Sequence, residues 1–391
     1  VEAGELVAED FGDAAVELDG AAAGGGVDHD DAQVDSGRRL LGDRDKPKKT
    51  LRVRFDEFTA GQTFRGVKRL NLRPNGGDPS LVREALALRL FLRAGVPAPR
   101  SSFVWVDIGG VPAGIYTLVQ QVDRKFIEER FGEDRGNLWC IERGGNLVYG
   151  GQEEEDYDFL PPYRESDPPL TFARRYELKT NEHVRDISDL IGLMRVLDQA
   201  PDARLADALE EVLDAERFLR LLAVNSWLAN MDSYPGTADN LYLYHDAFGR
   251  FRPAPWDLNR AFGNYHNLSC DPARDLAALD PFAPTCGGPR PLVDRVLADA
   301  RLRAIYRRHL GELVDGALHP EAVEALAASL RARIQQAVED DPAYRRAWLE
   351  GDFDASYTSD VRDHDRHAWV PGLVPFIRAR DEAVRARLGS D

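Results

Sequence analysis

Residues 230–263 read NMDSYPGTADNLYLYHDAFGRFRPAPWDLNRAFG, and the alternation inside that stretch decides the architecture. Leu241-Tyr242-Leu243-Tyr244 alternates as a strand, His245-Asp246-Ala247-Phe248-Gly249 makes a turn, and residues 251–255 return as a second strand. The hairpin carries Asp232 ahead of its first strand, Asn240 at the opening, and Asp257 just past the second strand in Trp256-Asp257-Leu258-Asn259. Two strand-end carboxylates and a carboxamide are oxygen donors suited to a hard cation. Any one of them alone reads as an ordinary turn residue. Their order around one hairpin, behind an apolar helix over 215–229 that gives Asp232 a rigid support, points to a site.

Phosphoryl transfer asks for that set: a carboxylate near an attacking hydroxyl, and oxygen ligands for a cation that bridges phosphates. Asp232 suits the catalytic base or hydroxyl-orienting role. Asp257 suits the metal, and Asn240 a second metal ligand, with Asp239 competing for that place. A cation to grip phosphates is expected upstream. Lys68 lies on a strand ahead of the helix bearing Glu84, the sequence order of the Lys–Glu pair in kinases; Lys48, Lys49 and Lys179 are the alternatives. Gly61-Gln62-Thr63-Phe64-Arg65-Gly66 offers a turn whose N–H groups suit a phosphate cradle, though it is neither a G-x-G-x-x-G nor a Walker loop. Trp256, Tyr242 and Tyr244 are expected to pack rather than to stack on a ligand. No paired-histidine zinc motif and no G-x-S-x-G elbow occurs.

The chain resembles the CotH family, spore-coat-type atypical protein kinases, in the pattern N-x-D-S-Y, a short loop with Asn before an aromatic strand, then P-W-D-L-[DN]-x-x-F-G. The likeness continues upstream through residues 46–55, Leu70-Asn71-Leu72, Asp78-Pro79-Ser80, Gly95-Val96-Pro97, Gly114-Ile115-Tyr116 and 176–180, and downstream through Arg290-Pro291-Leu292-Val293. The resemblance implies an α+β, atypical protein-kinase-like two-lobed fold with a β-rich N-lobe and a mainly helical C-lobe. It implies an acidic segment over 1–36, partly ordered β or flexible, an N-lobe over 37–123 and a C-lobe over 124–391. It further implies an ATP- and Mg²⁺- or Mn²⁺-dependent Ser/Thr kinase acting on Lys/Arg-rich coat or secreted proteins at a spore coat, envelope or extracellular location. Lys68, Glu84, Lys179 and Gln121 are then the cofactor-binding candidates, Gln121 because the nucleotide base would lie along 119–122. Asn259 stands where many members carry Asp, which implies weaker binding of a second metal. The rival readings are a non-catalytic coat or adhesion protein that keeps the fold, and a small-molecule kinase.

Composition bounds the rest. The 391 residues are 43% hydrophobic and support a large core. Fifty basic against 67 acidic residues give a net charge of −17, which argues against a nucleic-acid partner and favours basic ones. Three cysteines are too few for a disulfide framework, though Cys270 and Cys286 could form one bridge. No apolar run is long enough to span a bilayer, no charged-then-apolar leader is read, and a monomer is expected. Strands are predicted over 14–20, 51–55, 64–72, 103–106 and 115–119, and a long polar loop over 150–169. Helices are predicted from Asp78, over 186–199, 205–213, 215–229, 291–314 and 320–338, and over 375–388.

Overall fold

A computed structural model describes residues 15–18, 48–56, 59–64, 66–108, 110–157, 175–184, 186–265, 275–346, 352–363 and 368–390. The N-terminal part is built on a five-stranded sheet of β1 (Ala15–Leu18), β2 (Leu51–Arg54), β3 (Arg69–Arg73), β4 (Ser101–Ile108) and β5 (Val111–Gln120). Its order is β1-β4-β5-β3-β2, antiparallel except for β1 against β4. Period-two alternation divides the faces: Leu51, Val53, Leu70, Leu72, Val104 and Val106 bury into a small core on one side. The other side receives α1 (Arg83–Arg93), buried against the main core.

α1 begins five residues later than the Asp78-Pro79-Ser80 start predicted from sequence. Asp78 instead folds the segment as a turn, accepting from the Ser80 N–H and hydroxyl and from the Arg83 N–H, with Leu81 at φ 59° between them. The predicted strand over 64–72 is also shorter, since β3 starts at Arg69 and Phe64 pairs with Val67 across a tight turn.

After β5 comes α2 (Arg124–Phe131), capped by the Asp123 carboxylate on the Phe126 N–H and ended by Gly132 at φ 82°. A second antiparallel sheet follows, of β6 (Asn137–Ile141), β7 (Tyr176–Leu178), β8 (Leu241–His245) and β9 (Phe251–Pro255), in the order β7-β6-β8-β9. β9 holds Pro253 and Pro255, which an edge strand tolerates because its outer N–H groups have no ladder partner. Around this sheet lie α3 (Ser188–Gln199), α4 (Leu205–Val212), α5 (Ala215–Trp227), α6 (Tyr234–Thr237), α7 (Pro291–Ala298), α8 (Ala300–Asp315), α9 (Pro320–Asp340), α10 (Pro342–Arg346), α11 (Asp352–Thr358) and α12 (Leu373–Ser390), with the ribbon β10 (Val361–Asp363) and β11 (Ala368–Val370) before α12. The helix predicted over 291–314 is two, because Asp299 turns the chain and caps α8 through the N–H groups of Arg301 and Leu302.

The architecture is α+β, with a β-rich N-lobe and a mainly helical C-lobe. One core runs through both, from α1 and β5 to α5, α8, α9 and α12. A buried ion pair also crosses: Lys48 Nζ donates to Asp341 Oδ2 and to the Ile115 carbonyl, each at 2.6 Å, under the rings of Tyr116 and Tyr344. Lys48 is thereby committed to packing. Cys140 is a free buried thiol and Cys286 is disulfide-bonded; Cys270 lies outside the described residues. Of the polar loop, 150–157 includes one 3₁₀ turn at Glu154–Asp156, and 158–174 lies outside the described residues. No described helix is long and apolar enough to cross a membrane.

Candidate active site

The hairpin expected from 241–255 is β8 and β9, in register Leu241↔Pro255 to His245↔Phe251. Tyr242 packs edge-to-face on Trp256 with ring centroids 5.7 Å apart, and Tyr244 stacks on Phe131, so these aromatics are buried packing groups. The Trp256 N–H donates to the Asn240 carbonyl at 3.2 Å, closing the ladder with Asn240 at one corner and Asp257 beside the other.

Asp232 arrives from α5, whose C-terminal carbonyls at Ser226 and Trp227 accept from the buried Arg380 guanidinium. Beyond α5 a compact loop sets its position. Asn225 Nδ2 donates to the Asn230 carbonyl and to Ser233 Oγ, and Asn240 Nδ2 donates to the Asp232 carbonyl at 2.8 Å. Gly236 is required in this loop, because a Cβ there would lie 1.9 Å from the Met231 carbonyl oxygen. The loop's outer carbonyls at Tyr234 and Gly236, together with the Cys286 carbonyl from the segment before α7, accept from the buried guanidinium of Arg290, which explains the Arg of the downstream Arg-Pro-Leu-Val. Five of the nine non-glycine residues with positive φ among the described residues fall here: Ala229, Ala238, Asn240, Asp257 and Phe262. Such backbone costs about 1–3 kcal/mol per residue and concentrates at functional centres.

Three carboxyls share this centre. Burial, then the neighbouring charges of Asp239 and Asp257, lift the Asp232 carboxyl to about 7 against the opposing pull of Arg260 and Arg143. Burial also raises Asp239, although it accepts from the Thr237 hydroxyl. Arg143, after β6, spans both, its Nη2 3.6 Å from Asp232 Oδ1 and its Nε 3.5 Å from Asp239 Oδ2. Asp257 faces Arg73 of β3, with Nη1 3.5 Å from Oδ2, and that guanidinium lies over the Trp256 ring, 5.2 Å from its centroid. Glu84 of α1, only 2% exposed, completes the group: burial lifts its carboxyl to about 7, Arg73 pulls it down, and Asp257 and Asp78 push it up.

Of the predicted site residues, the fold gathers Asp232, Asn240, Asp257 and Glu84, and brings Lys68, Gln121 and Lys179 to a different place. Those three line a cavity of about 520 Å³ between the N-lobe sheet and α2, together with Arg69 and Lys125; none of the carboxylates above lines it. Lys68 does not pair with Glu84. Its side chain is 58% exposed and lies 3.7 Å from Asp56, because it falls on the Leu70 side of the strand. Lys179 contacts Glu177 at 2.6 Å, which, against the effect of burial, holds its ammonium above the usual range. Gln121 accepts from Asn71 at 3.0 Å. In the 61–66 turn, the Gly66 carbonyl accepts from Lys125 at 2.7 Å; Arg65 lies outside the described residues.

Arg73 and Arg143 were not singled out by sequence reasoning. Arg73 was legible: Arg69, Asn71 and Arg73 alternate with Leu70 and Leu72, so all three must share the face that meets α1 and Glu84. Nothing in the sequence separates Arg143 from surface arginines.

Among the described residues no three carboxylate, His or Cys side chains converge as a ready-made cation cage. Mg²⁺ is commonly held by one or two carboxylates completed by phosphate oxygens and waters. Asp257 Oδ1 and Asn259 Oδ1 are buried acceptors without a hydrogen bond, and Asp257 and Asn240 flank the same hairpin end, so the donor set fits a hard cation.

Against known proteins, the chain is 25% identical over 347 residues to the inner spore coat protein H of Bacillus subtilis (strain 168), across 88% of this chain and 84% of that protein. The inner spore coat protein H-like protein of the same organism is 38% identical over 81 residues, 21% of this chain and 25% of that one. Among solved structures, the Shewanella oneidensis MR-1 toxin–antitoxin complex of HipA, HipB and operator DNA aligns at TM-score 0.36 and 12% identity. That alignment covers 83% of this chain and 59% of the other, and at that score it carries no argument. The profile described as CotH kinase protein matches residues 37–383, and the chain belongs to the CotH family.

Proposed function

We propose that this protein is an ATP- and divalent-metal-dependent protein kinase that phosphorylates Ser or Thr on Lys/Arg-rich coat or secreted proteins. The observation that carries the reading is the meeting of Asp232 and Asp257 at one hairpin end, with a buried, unbonded oxygen on Asp257. When bound, the nucleotide and its cation would supply the transferable γ-phosphoryl group and neutralise its charge. Asp257 would hold the cation, with Asn240 or Asn259 as carboxamide donor. Asp232 in its ionised form would accept the hydroxyl proton of the substrate and orient its oxygen. The cavity holding Lys68, Gln121 and Lys179 offers room and positive charge for the remainder of the nucleotide. The net charge of −17 favours a basic protein substrate.

Incubation with labelled ATP, Mn²⁺ or Mg²⁺ and a Ser-containing, Lys/Arg-rich peptide should yield phosphopeptide. Asp232→Asn and Asp257→Asn should each lower the yield by about 10²–10⁴-fold while the circular dichroism spectrum is kept. Transfer that survives both changes would end the kinase reading.

A non-catalytic coat protein is the second reading, favoured by the arginines that already neutralise Asp232 and Asp257. It predicts no metal-dependent thermal stabilisation by ATP, whereas the kinase reading predicts one.

A further inference from the structure

Phosphoryl transfer needs positive charge beside the group in flight as well as at the metal, and the lysines weighed for such a task are engaged elsewhere: Lys48 with Asp341, Lys68 with Asp56, Lys179 with Glu177. The cation built into the place where Asp232 stands is Arg143. We propose that Arg143 is a catalytic residue of the transfer step, its guanidinium reaching from between Asp232 and Asp239 to the oxygens of the transferring phosphoryl group. The inference rests on the kinase reading. In that step the substrate hydroxyl oxygen bonds to the γ-phosphorus and its proton passes to the Asp232 carboxylate, while the bond from phosphorus to the β,γ-bridging oxygen breaks and ADP departs with the electron pair.

Three observations support it. First, the backbone of Arg143 is fixed to the loop that carries Asp232: the next two N–H groups, of Gly144 and Gly145, donate to the Thr237 and Ala238 carbonyls at 3.2 and 2.9 Å. Gly145 permits that approach, since a Cβ there would lie 2.6 Å from Ile141 Cγ2 and 2.8 Å from the Arg175 carbonyl oxygen. Second, the guanidinium is held by charge more than by short hydrogen bonds. Nη2 stands 3.6 Å from Asp232 Oδ1 and 3.5 Å from the Tyr265 hydroxyl, and Nε 3.5 Å from Asp239 Oδ2, against about 2.7–2.9 Å in a charge-assisted hydrogen bond. Nε is a buried atom that makes no hydrogen bond. Contacts of that length give up little when the fork turns to phosphoryl oxygens, which accept parallel N–H groups. Third, the Arg143 side chain is 38% exposed, open to an incoming ligand, whereas Arg260, another guanidinium acting on Asp232, is buried and donates to the Gly77 carbonyl. The charge of Asp257 reaches both Asp232 and Asp239, so the metal-holding carboxylate and this guanidinium border the same pair of aspartates.

A guanidinium that acts on the group in flight is told apart from one that only tunes Asp232. Arg143 pulls the Asp232 carboxyl down, so in either case Arg143→Gln should move the acidic limb of the pH profile upward. On the alkaline plateau, where Asp232 is ionised in both proteins, the catalytic role predicts kcat still lower by about 10²–10³-fold; tuning alone predicts the native kcat. Calorimetric titration of the full chain adds a readout that needs no turnover. Binding of Mg²⁺–ADP should stay within about 3-fold in Arg143→Gln, since ADP lacks the transferred group. The tightening of that binding by aluminium fluoride, a stand-in for the phosphoryl group in flight, should shrink by about 10- to 100-fold. Arg143→Lys keeps a cation and guards against loss of folding, and it should recover part of both losses. Native plateau kcat in Arg143→Gln, or an aluminium fluoride effect that is absent from the native protein or undiminished in the variant, overturns the assignment and leaves the kinase reading standing. A native protein that transfers no phosphate overturns the kinase reading, and this inference with it.

Discussion

Replacing Glu84 by Gln should stabilise the metal-free protein at pH 8 and change it little at pH 5. Glu84 is 2% exposed, and burial is the largest influence on its carboxyl, lifting it from 4.5 to about 7 even with Arg73 and the Leu258 backbone pulling the other way. At about 1.4 kcal/mol per pH unit, that gap is worth about 3 kcal/mol. The sign follows from which state holds the proton. Between pH 4.5 and 7 the folded chain keeps the Glu84 proton that the unfolded chain has released, so the contribution is fully present below 4.5 and lost as pH rises through about 7. Gln is nearly isosteric and never ionises. At pH 8 the variant should exceed the native protein by about 3 kcal/mol; at pH 5, where only the unfolded native chain has begun to ionise, the gain should stay under about 1 kcal/mol. Urea unfolding at the two pH values, without nucleotide or divalent cation, measures the difference. An equal gain at both, or a loss at pH 8, would mean that the Arg73 attraction outweighs burial and would refute the reasoning. The same variant should bind Mn²⁺–ATP less well, the ordinary trade of stability against a strained functional centre.

The Asp232 carboxyl, raised to about 7 by burial and then by Asp239 and Asp257, should place an acidic limb in the pH profile of kcat/KM, activity rising through neutrality as Asp232 loses its proton. Asp239→Asn removes one of the charges that raise it, so the limb should move to lower pH; a limb that stays put, or moves up, speaks against Asp232 as the titrating group. Lys48→Met should cost about 3–5 kcal/mol, since it leaves Asp341 buried without its cation. Urea unfolding of that variant at pH 7 reads the loss, and a change under about 1 kcal/mol would show that the N–H groups of Ile115, Ala343 and Tyr344, which also donate to the Asp341 carboxylate, suffice without the cation.

Much of the hairpin was legible because its information is local. Alternation over 241–244, a turn rich in Asp and Gly, and two prolines confined to the returning strand leave little choice of structure, and β8 and β9 fall at the predicted residues. The boundaries that slipped were those set by side chains reaching across a turn. Asp78 reads as a helix cap, yet it folds its own loop and delays α1 to Arg83; Asp299 reads as one residue in a continuous helical pattern, yet it breaks that pattern by capping α8. Charge partners were the least legible part of the candidate site. Lys68 and Glu84 stand in a suggestive order, but order along the chain says nothing of strand face, and one residue of phase moves a side chain to the opposite side. Arg73, five positions on, has the right phase.

That phase argument also explains why the centre is built with arginine. Glu84 and Asp257 approach each other from α1 and the β9 end in a region where water is scarce, and a cation between them must stay charged despite burial. An ammonium is readily deprotonated when buried, as Lys48 illustrates: burial brings it down to about 8 even beside Asp341. A guanidinium resists this, and Arg73 is held above its usual range in a similarly buried place. Arg143 meets the same requirement between Asp232 and Asp239. Without these guanidinium groups the Asp232 and Glu84 carboxyls, already lifted to about 7 by burial, would be lifted further. The arginines therefore limit, without cancelling, the rise that burial imposes on these two carboxyls.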